Sequence, residues 1–148
     1  MPILDHTIVA SNDHQKAAVF VTTILGLPAP VTLGPFAVVH LGPTTTLDFL
    51  TVDGPVEPQR YAFLGTEVEF DEIFARIRGR ALPYWADPDH HEPDRINRWD
   101  GGRGVYFEDP NRHSLEIITR PYGSGGTTTD RPHPLVASAS SDRPAGEP

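Results

Sequence analysis

The chain has 148 residues, 38% of them hydrophobic, no cysteine and a formal net charge of −8 at pH 7. This length suits one domain or two small halves sharing a core, and the lack of cysteine removes disulfides, thiolate nucleophiles and thiolate zinc sites together. The negative charge disfavours nucleic acid as a partner, the opening MPILDHTIVA lacks the basic start and apolar run of a secretory signal, and no stretch approaches the ~18 apolar residues of a membrane span, so a cytoplasmic protein is expected.

In chain order, the alternation over 4–10 predicts a strand that carries His6 on one face with Leu4 and Ile8. Ser11, Asn12 and Asp13 offer helix caps, with a capping box between Asn12 and Gln15. A helix is expected over 14–25, with Ala18, Val21 and Leu25 on one face and Gly26 as its stop. Strands over 36–41 and 45–52 follow, joined by a Gly42-Pro43-Thr44 hairpin loop, and 53–58 is a breaker-rich connector. The pattern then restarts. Residues 60–64 read as a strand, Thr66 and Glu69 as a capping box, and Phe70, Ile73, Phe74 and Ile77 as the apolar face of a helix ending near Gly79. Residues 82–86 are a short strand held to an edge by Pro83. A polar loop over 87–100 leads to a last hairpin, in which Asp109-Pro110-Asn111 is the turn between 105–107 and 115–118.

The closing strands of the two halves match: Leu47-Asp48-Phe49-Leu50 aligns with Leu115-Glu116-Ile117-Ile118, an acid in the same slot. The chain therefore reads as a duplication, with modules over 3–53 and 59–121 in a single domain of 1–122, and with His6 equivalent to Arg60. The opening and closing strands are expected to face one cleft. Glu116, set in an apolar run, requires a partner because an unpaired buried charge is costly. Residues 123–148, rich in Gly, Ser, Thr and Pro, are expected to form a disordered tail.

Three stretches carry a resemblance to a known family: LDHTIVASND, RYAFLG followed by EFDEIFARI, and GGRGVYFEDPNRHSLEIITRPYG. They resemble the vicinal oxygen chelate superfamily, which includes glyoxalase I, extradiol dioxygenases, fosfomycin-resistance thiol transferases and bleomycin-resistance proteins. The third stretch looks like that family's closing pattern G-x-x-F-x-D-P-x-G-H-x-x-E. Over 3–122 the resemblance implies an α+β fold of two βαβββ modules that form a cupped mixed sheet, and a homodimer. It also implies a divalent metal (Zn, Mn, Fe or Ni) on His6 and Glu116, with Asp48 joining and Glu116 as the catalytic carboxylate. Imidazole and carboxylate suit such ions, which would polarise adjacent substrate oxygens. Two positions depart from the family pattern. Arg60-Tyr61-Ala62-Phe63 stands where H-Y-A-F is usual, and a guanidinium offers no lone pair to a metal. Arg112 replaces a glycine, so either Asn111 takes the positive φ or the turn type changes.

Two functions remain open on this reading. One is a metal-dependent glyoxalase- or dioxygenase-type enzyme with a small-molecule substrate, in which His90 or His91 completes a ligand set. The other is a metal-free, bleomycin-resistance-like binding protein in which Arg60 bridges to Glu116 and contacts an anionic ligand. The substrate-contact candidates are Arg60, Trp85 and Trp99 for stacking, Arg103 among its glycines, and Tyr106. His113 is assigned a structural role and His133 none.

Overall fold

The computed structural model describes residues 1–141. β1 (His6–Ser11) is followed by α1 (His14–Leu25), β2 (Val31–Leu33), β3 (Phe36–Leu41) and β4 (Thr45–Thr51). The order repeats as β5 (Arg60–Leu64), α2 (Glu67–Gly79), β6 (Tyr84–Trp85), β7 (Gly104–Glu108) and β8 (Ser114–Ile118), and α3 (Pro134–Ser141) ends the described chain. Each module folds into its own sheet, with strand orders β1-β4-β3-β2 and β5-β8-β7-β6. In both sheets the opening strand pairs parallel to the closing strand and the remaining pairs are antiparallel. This is the expected α+β pair of βαβββ modules.

Local chemistry sets the helix ends. The Asp13 carboxylate accepts the Lys16 N–H at 3.0 Å, so the cap falls on Asp13 and not on an Asn12–Gln15 box. Gly26 closes α1 at φ 69°. Thr66 and Glu69 form the expected box, with backbone N–H contacts of 3.2 and 2.7 Å. The strand β2 was not expected. All three of its side chains are exposed, and its antiparallel pairing with β3 defines it where no alternation marks it. Among the described residues no helix is long and apolar enough to cross a membrane.

One core serves both modules. Val9, Leu47 and Phe49 of the first sheet cluster with Val105, Phe107, Leu115 and Ile117 of the second and with the apolar faces of α1 and α2. Phe20 of α1 packs on Phe107 with ring centroids 6.4 Å apart. Each such side chain stabilises the fold by about 1.5–3 kcal/mol when fully buried. Side chains alternate along a strand. Asp48, between Leu47 and Phe49, and Glu116, between Leu115 and Ile117, therefore both point away from the core.

The closing turn ties the modules together. His113 is 1% exposed; its Nδ1 accepts the Gln59 N–H at 2.9 Å and its Nε2 donates to the Ala10 carbonyl at 2.8 Å. The Asn12 N–H donates to Asn111 Oδ1 at 2.9 Å. The positive φ of this turn, 66°, falls on Arg112 itself and not on Asn111, because Asn111 is held by Asp109 and Asn12.

The structure differs from the expectation of disorder over 123–141. The chain runs through turns into α3, and His133 is buried. The rest of that expectation, 142–148, lies outside the described residues.

Candidate functional site

The two sheets place their acids in one register. His6 pairs with Thr46 and Ile8 with Asp48, while Arg60 pairs with Ser114 and Ala62 with Glu116. His6 and Arg60 thus hold the same place relative to the two acids, as the duplication requires.

On the first sheet, Ile8, Asp48, Val38 and Val31 form one row across the outer face. Ile8 and Val31 are more than half exposed. Asp48 accepts the Thr46 hydroxyl at 2.7 Å. His6 is exposed and hydrogen-bonds Asp5 at 2.7 Å; this bond, with a smaller contribution from the charge of Asp48, raises its proton affinity.

On the second sheet the equivalent row is Ala62, Glu116, Tyr106 and Trp85. Here Glu116 is 4% exposed and lies in the wall of a cavity of about 800 Å³. Glu116 Oε2 accepts the hydroxyl of Tyr122, which in turn lies 2.8 Å from the hydroxyl of Tyr106. Glu116 Oε1 has no partner among the described residues. Burial pushes the Glu116 pKa up, opposed by the two tyrosine hydroxyls and the charge of Arg60. The same burial drives both tyrosines well above their ordinary range, so they remain donors. The result is a positioned carboxylate that accepts a proton more readily than an exposed glutamate.

The chain after β8 forms one wall of the cavity. Asp100, 2% exposed, accepts the N–H groups of Gly123 and Gly125 at 3.0 and 3.2 Å and donates its own N–H to the Arg131 carbonyl at 2.8 Å. This clamp seats His133 against Tyr122 and Trp99, with centroids at 4.0 and 4.8 Å.

Of the residues singled out from sequence, Arg60, His91, Trp99, Tyr106 and Glu116 line this cavity. The others do not. Trp85 stacks on His90 with centroids 3.6 Å apart. Arg103 is held at 2.6 Å by Glu67 and 2.7 Å by Asp71, over the ring of Phe70, so it fastens β7 to α2 and is no ligand contact. His90 lies 3.9 Å from Glu108, whereas His91, on the cavity wall, lies 3.9 Å from Asp87. Arg60 pairs with Asp89 at 3.8 Å, both exposed, and reaches Glu116 as a charge without the expected bridge.

His6 and Asp48 belong to the other sheet's face, so one chain does not bring the two faces to a common cleft. Among the described residues no three metal-ligating side chains gather. The orphaned Glu116 Oε1 suits a cation, yet among the described residues of a single chain no set of three ligands gathers around it, so the residues of one chain do not fit the implied metal. Asp100, Tyr122 and His133 were missed. Tyr122 carries a faint signal, because it stands just beyond the closing strand, whereas His133 sits in a composition that reads as disorder.

No family model matches this sequence, and no curated protein matches it. Solved structures do. "Oxidase ChaP-H1" is 56% identical, covering 83% of this chain and 99% of its own, with a TM-score of 0.81. "Oxidase ChaP-H2" is 54% identical over 84% and 98%, with a TM-score of 0.82. A glyoxalase/dioxygenase from Nostoc punctiforme is 25% identical over 80% and 91%, with a TM-score of 0.61.

Proposed function

The chain belongs to the vicinal oxygen chelate superfamily, and from that premise we propose that it is a small-molecule oxidase, passing electrons from a planar aromatic substrate to dioxygen in the Glu116 cavity. The observation that carries this reading is 56% identity, over 83% of this chain, with a protein called an oxidase that is matched over 99% of its own length. The cavity supports it. Its volume suits a small organic molecule, and Trp99, Tyr106 and Tyr122 offer ring faces to a flat one. Tyr106 and Tyr122 fix the carboxylate, Glu116 Oε1 takes the proton of a substrate hydroxyl, Arg60 draws the resulting anion, and the docked tail excludes water.

The reading includes a homodimer. Ile8, Val31 and Leu33 leave the first sheet's outer face apolar and exposed, and a second copy is the partner this reading gives that face. A divalent metal (Zn, Mn, Fe or Ni) enters through the dimer, with His6 and Asp48 of one copy and Glu116 of the other as its ligands. Such an ion would polarise substrate oxygens.

A second reading, a metal-free binding protein, is favoured by Arg60, a cation where the first module has a histidine. Oxygen uptake separates the two. The full-length protein, alone and loaded with each metal in turn, is given naphthols and naphthohydroquinones. The oxidase reading expects oxygen consumption above the buffer rate and a chemically altered aromatic. Binding with no uptake under any loading, and the aromatic recovered unchanged, overturns it in favour of the binding protein.

A further inference from the structure

Among the described residues, Glu116 Oε1 and His133 Nε2 are the buried side-chain polar atoms without a hydrogen-bond partner. Both residues are 4% exposed, and both line the same cavity. Burying one unpartnered polar atom is costly, and burying two in one cavity points to a ligand that satisfies both.

Their polarities are complementary. His133 Nδ1 accepts the Leu135 N–H at 3.2 Å, which places the proton of the neutral ring on Nε2. Nε2 is therefore a donor without an acceptor. Glu116 Oε2 is taken by the Tyr122 hydroxyl, so Oε1 is an acceptor without a donor. The same tautomer argues against a metal on His133: Nε2 carries the proton, and the Nδ1 lone pair is in use.

The segment that brings His133 here is specifically seated. Asp100 holds it at three points. Gly125 passes so close that an added Cβ would lie 2.2 Å from Thr129 Cγ2 and 2.9 Å from Asp100 Cα. The two oxidase structures are matched almost end to end by 83% and 84% of this chain. The unmatched share has the size of the segment after Gly123.

We propose that this tail is part of the ligand site: His133 Nε2–H and Glu116 Oε1 together clasp a hydroxyl group on a flat aromatic ligand, the hydroxyl donating to Glu116 and accepting from His133. The proposal rests on the reading of this cavity as the substrate site, and it adds the hydroxyl requirement and the residue that enforces it. A cavity built around such a pair rejects the matching ether, whose methyl group stands where the donated proton would and keeps the oxygen out of the clasp, so that it meets neither atom.

The test uses the full-length protein and two probes, 1-naphthol and 1-methoxynaphthalene, with affinities read from tryptophan fluorescence. The wild type is expected to prefer the naphthol by about tenfold or more. His133→Phe keeps the ring stack and removes the N–H; it should weaken naphthol binding about tenfold and leave the ether unchanged. Asp100→Ala releases the tail without touching a ligand-facing atom and should also abolish the preference. An unchanged preference in both variants, or an equal loss for both probes, overturns the proposal. Turnover plays no part in this readout. A retained preference without oxygen uptake refutes the oxidase reading alone, whereas uptake without a preference refutes the tail's role alone.

Discussion

On the first sheet Asp48 stands between Ile8 and Val38; on the second, Glu116 stands between Ala62 and Tyr106. The two faces share a register and descend from one pattern, yet the first leaves Ile8 and Val31 exposed around a buried Asp48 and the second is lined by Trp99, Tyr122 and His133. The difference lies outside the repeat. The loop ahead of β7 and the chain after β8 have no counterpart in the first module, and they alone turn a sheet face into a cavity. A duplicated scaffold thus supplies two equivalent buried acids, and the segments added to one copy decide which of them faces this cavity.

The comparison breaks first at the core. Phe49 and Phe107 are almost fully buried, one from each sheet. Replacing either by alanine should cost about 3–5 kcal/mol in a urea titration, with one shared transition in each variant. Two transitions would show that the modules unfold apart and that the faces do not share a core. Next is the first sheet's outer face. Ile8→Asp should turn a dimer into a monomer by light scattering, at a cost of about 2 kcal/mol or more, while naphthol affinity holds. A persistent dimer would show that this face is not the interface.

Much of this comparison was legible in the sequence. Asp48 and Glu116 declared their equivalence through the apolar residues on either side, and the helices declared themselves through Thr66–Glu69 and Gly26, because caps and periodicity are local signals. The cavity wall formed by the tail was not legible. Asp100 works by accepting two N–H groups from residues more than twenty positions away, and no local pattern encodes that. His133 lies among prolines, glycines and threonines, whose composition hides a segment ordered by long-range contacts. The metal set Asp48, Glu116 and His6 was legible as residue types, whereas its division between two faces depends on how the modules pack. Arg103 looked like a ligand contact because Glu67 and Asp71, its partners, sit a helix away.

Smaller effects sharpen the role of this wall. Burial holds His133 below its ordinary pKa near 6.5, against the opposing charge of Asp100. Above that pH the ring is neutral whether docked or released, and docking is at full strength. As pH falls below it the released ring takes the proton first, so docking weakens, by at most about tenfold per pH unit. Limited proteolysis between Gly123 and His133 should therefore speed up on acidification, and a pH-independent rate would exclude His133 as an anchor. Arg103→Ala should lower stability by about 1 kcal/mol with naphthol affinity unchanged, and a loss of affinity would place Arg103 at the ligand after all. Least of all, Arg112→Gly relieves a left-handed arginine and should raise stability by up to about 1 kcal/mol in thermal melts; a fall would mean that the arginine side chain contributes more than its backbone costs.

The central claim is that the two equivalent faces work together only across two copies, His6 from one chain meeting Glu116 from another. Complementation measures it directly. His6→Ala and Glu116→Gln are each expected to lose oxygen uptake as homodimers. Co-expressed, they form mixed dimers in which one of the two sites is intact, and about a quarter of the wild-type rate should return. A mixture no more active than its parts would contradict the account.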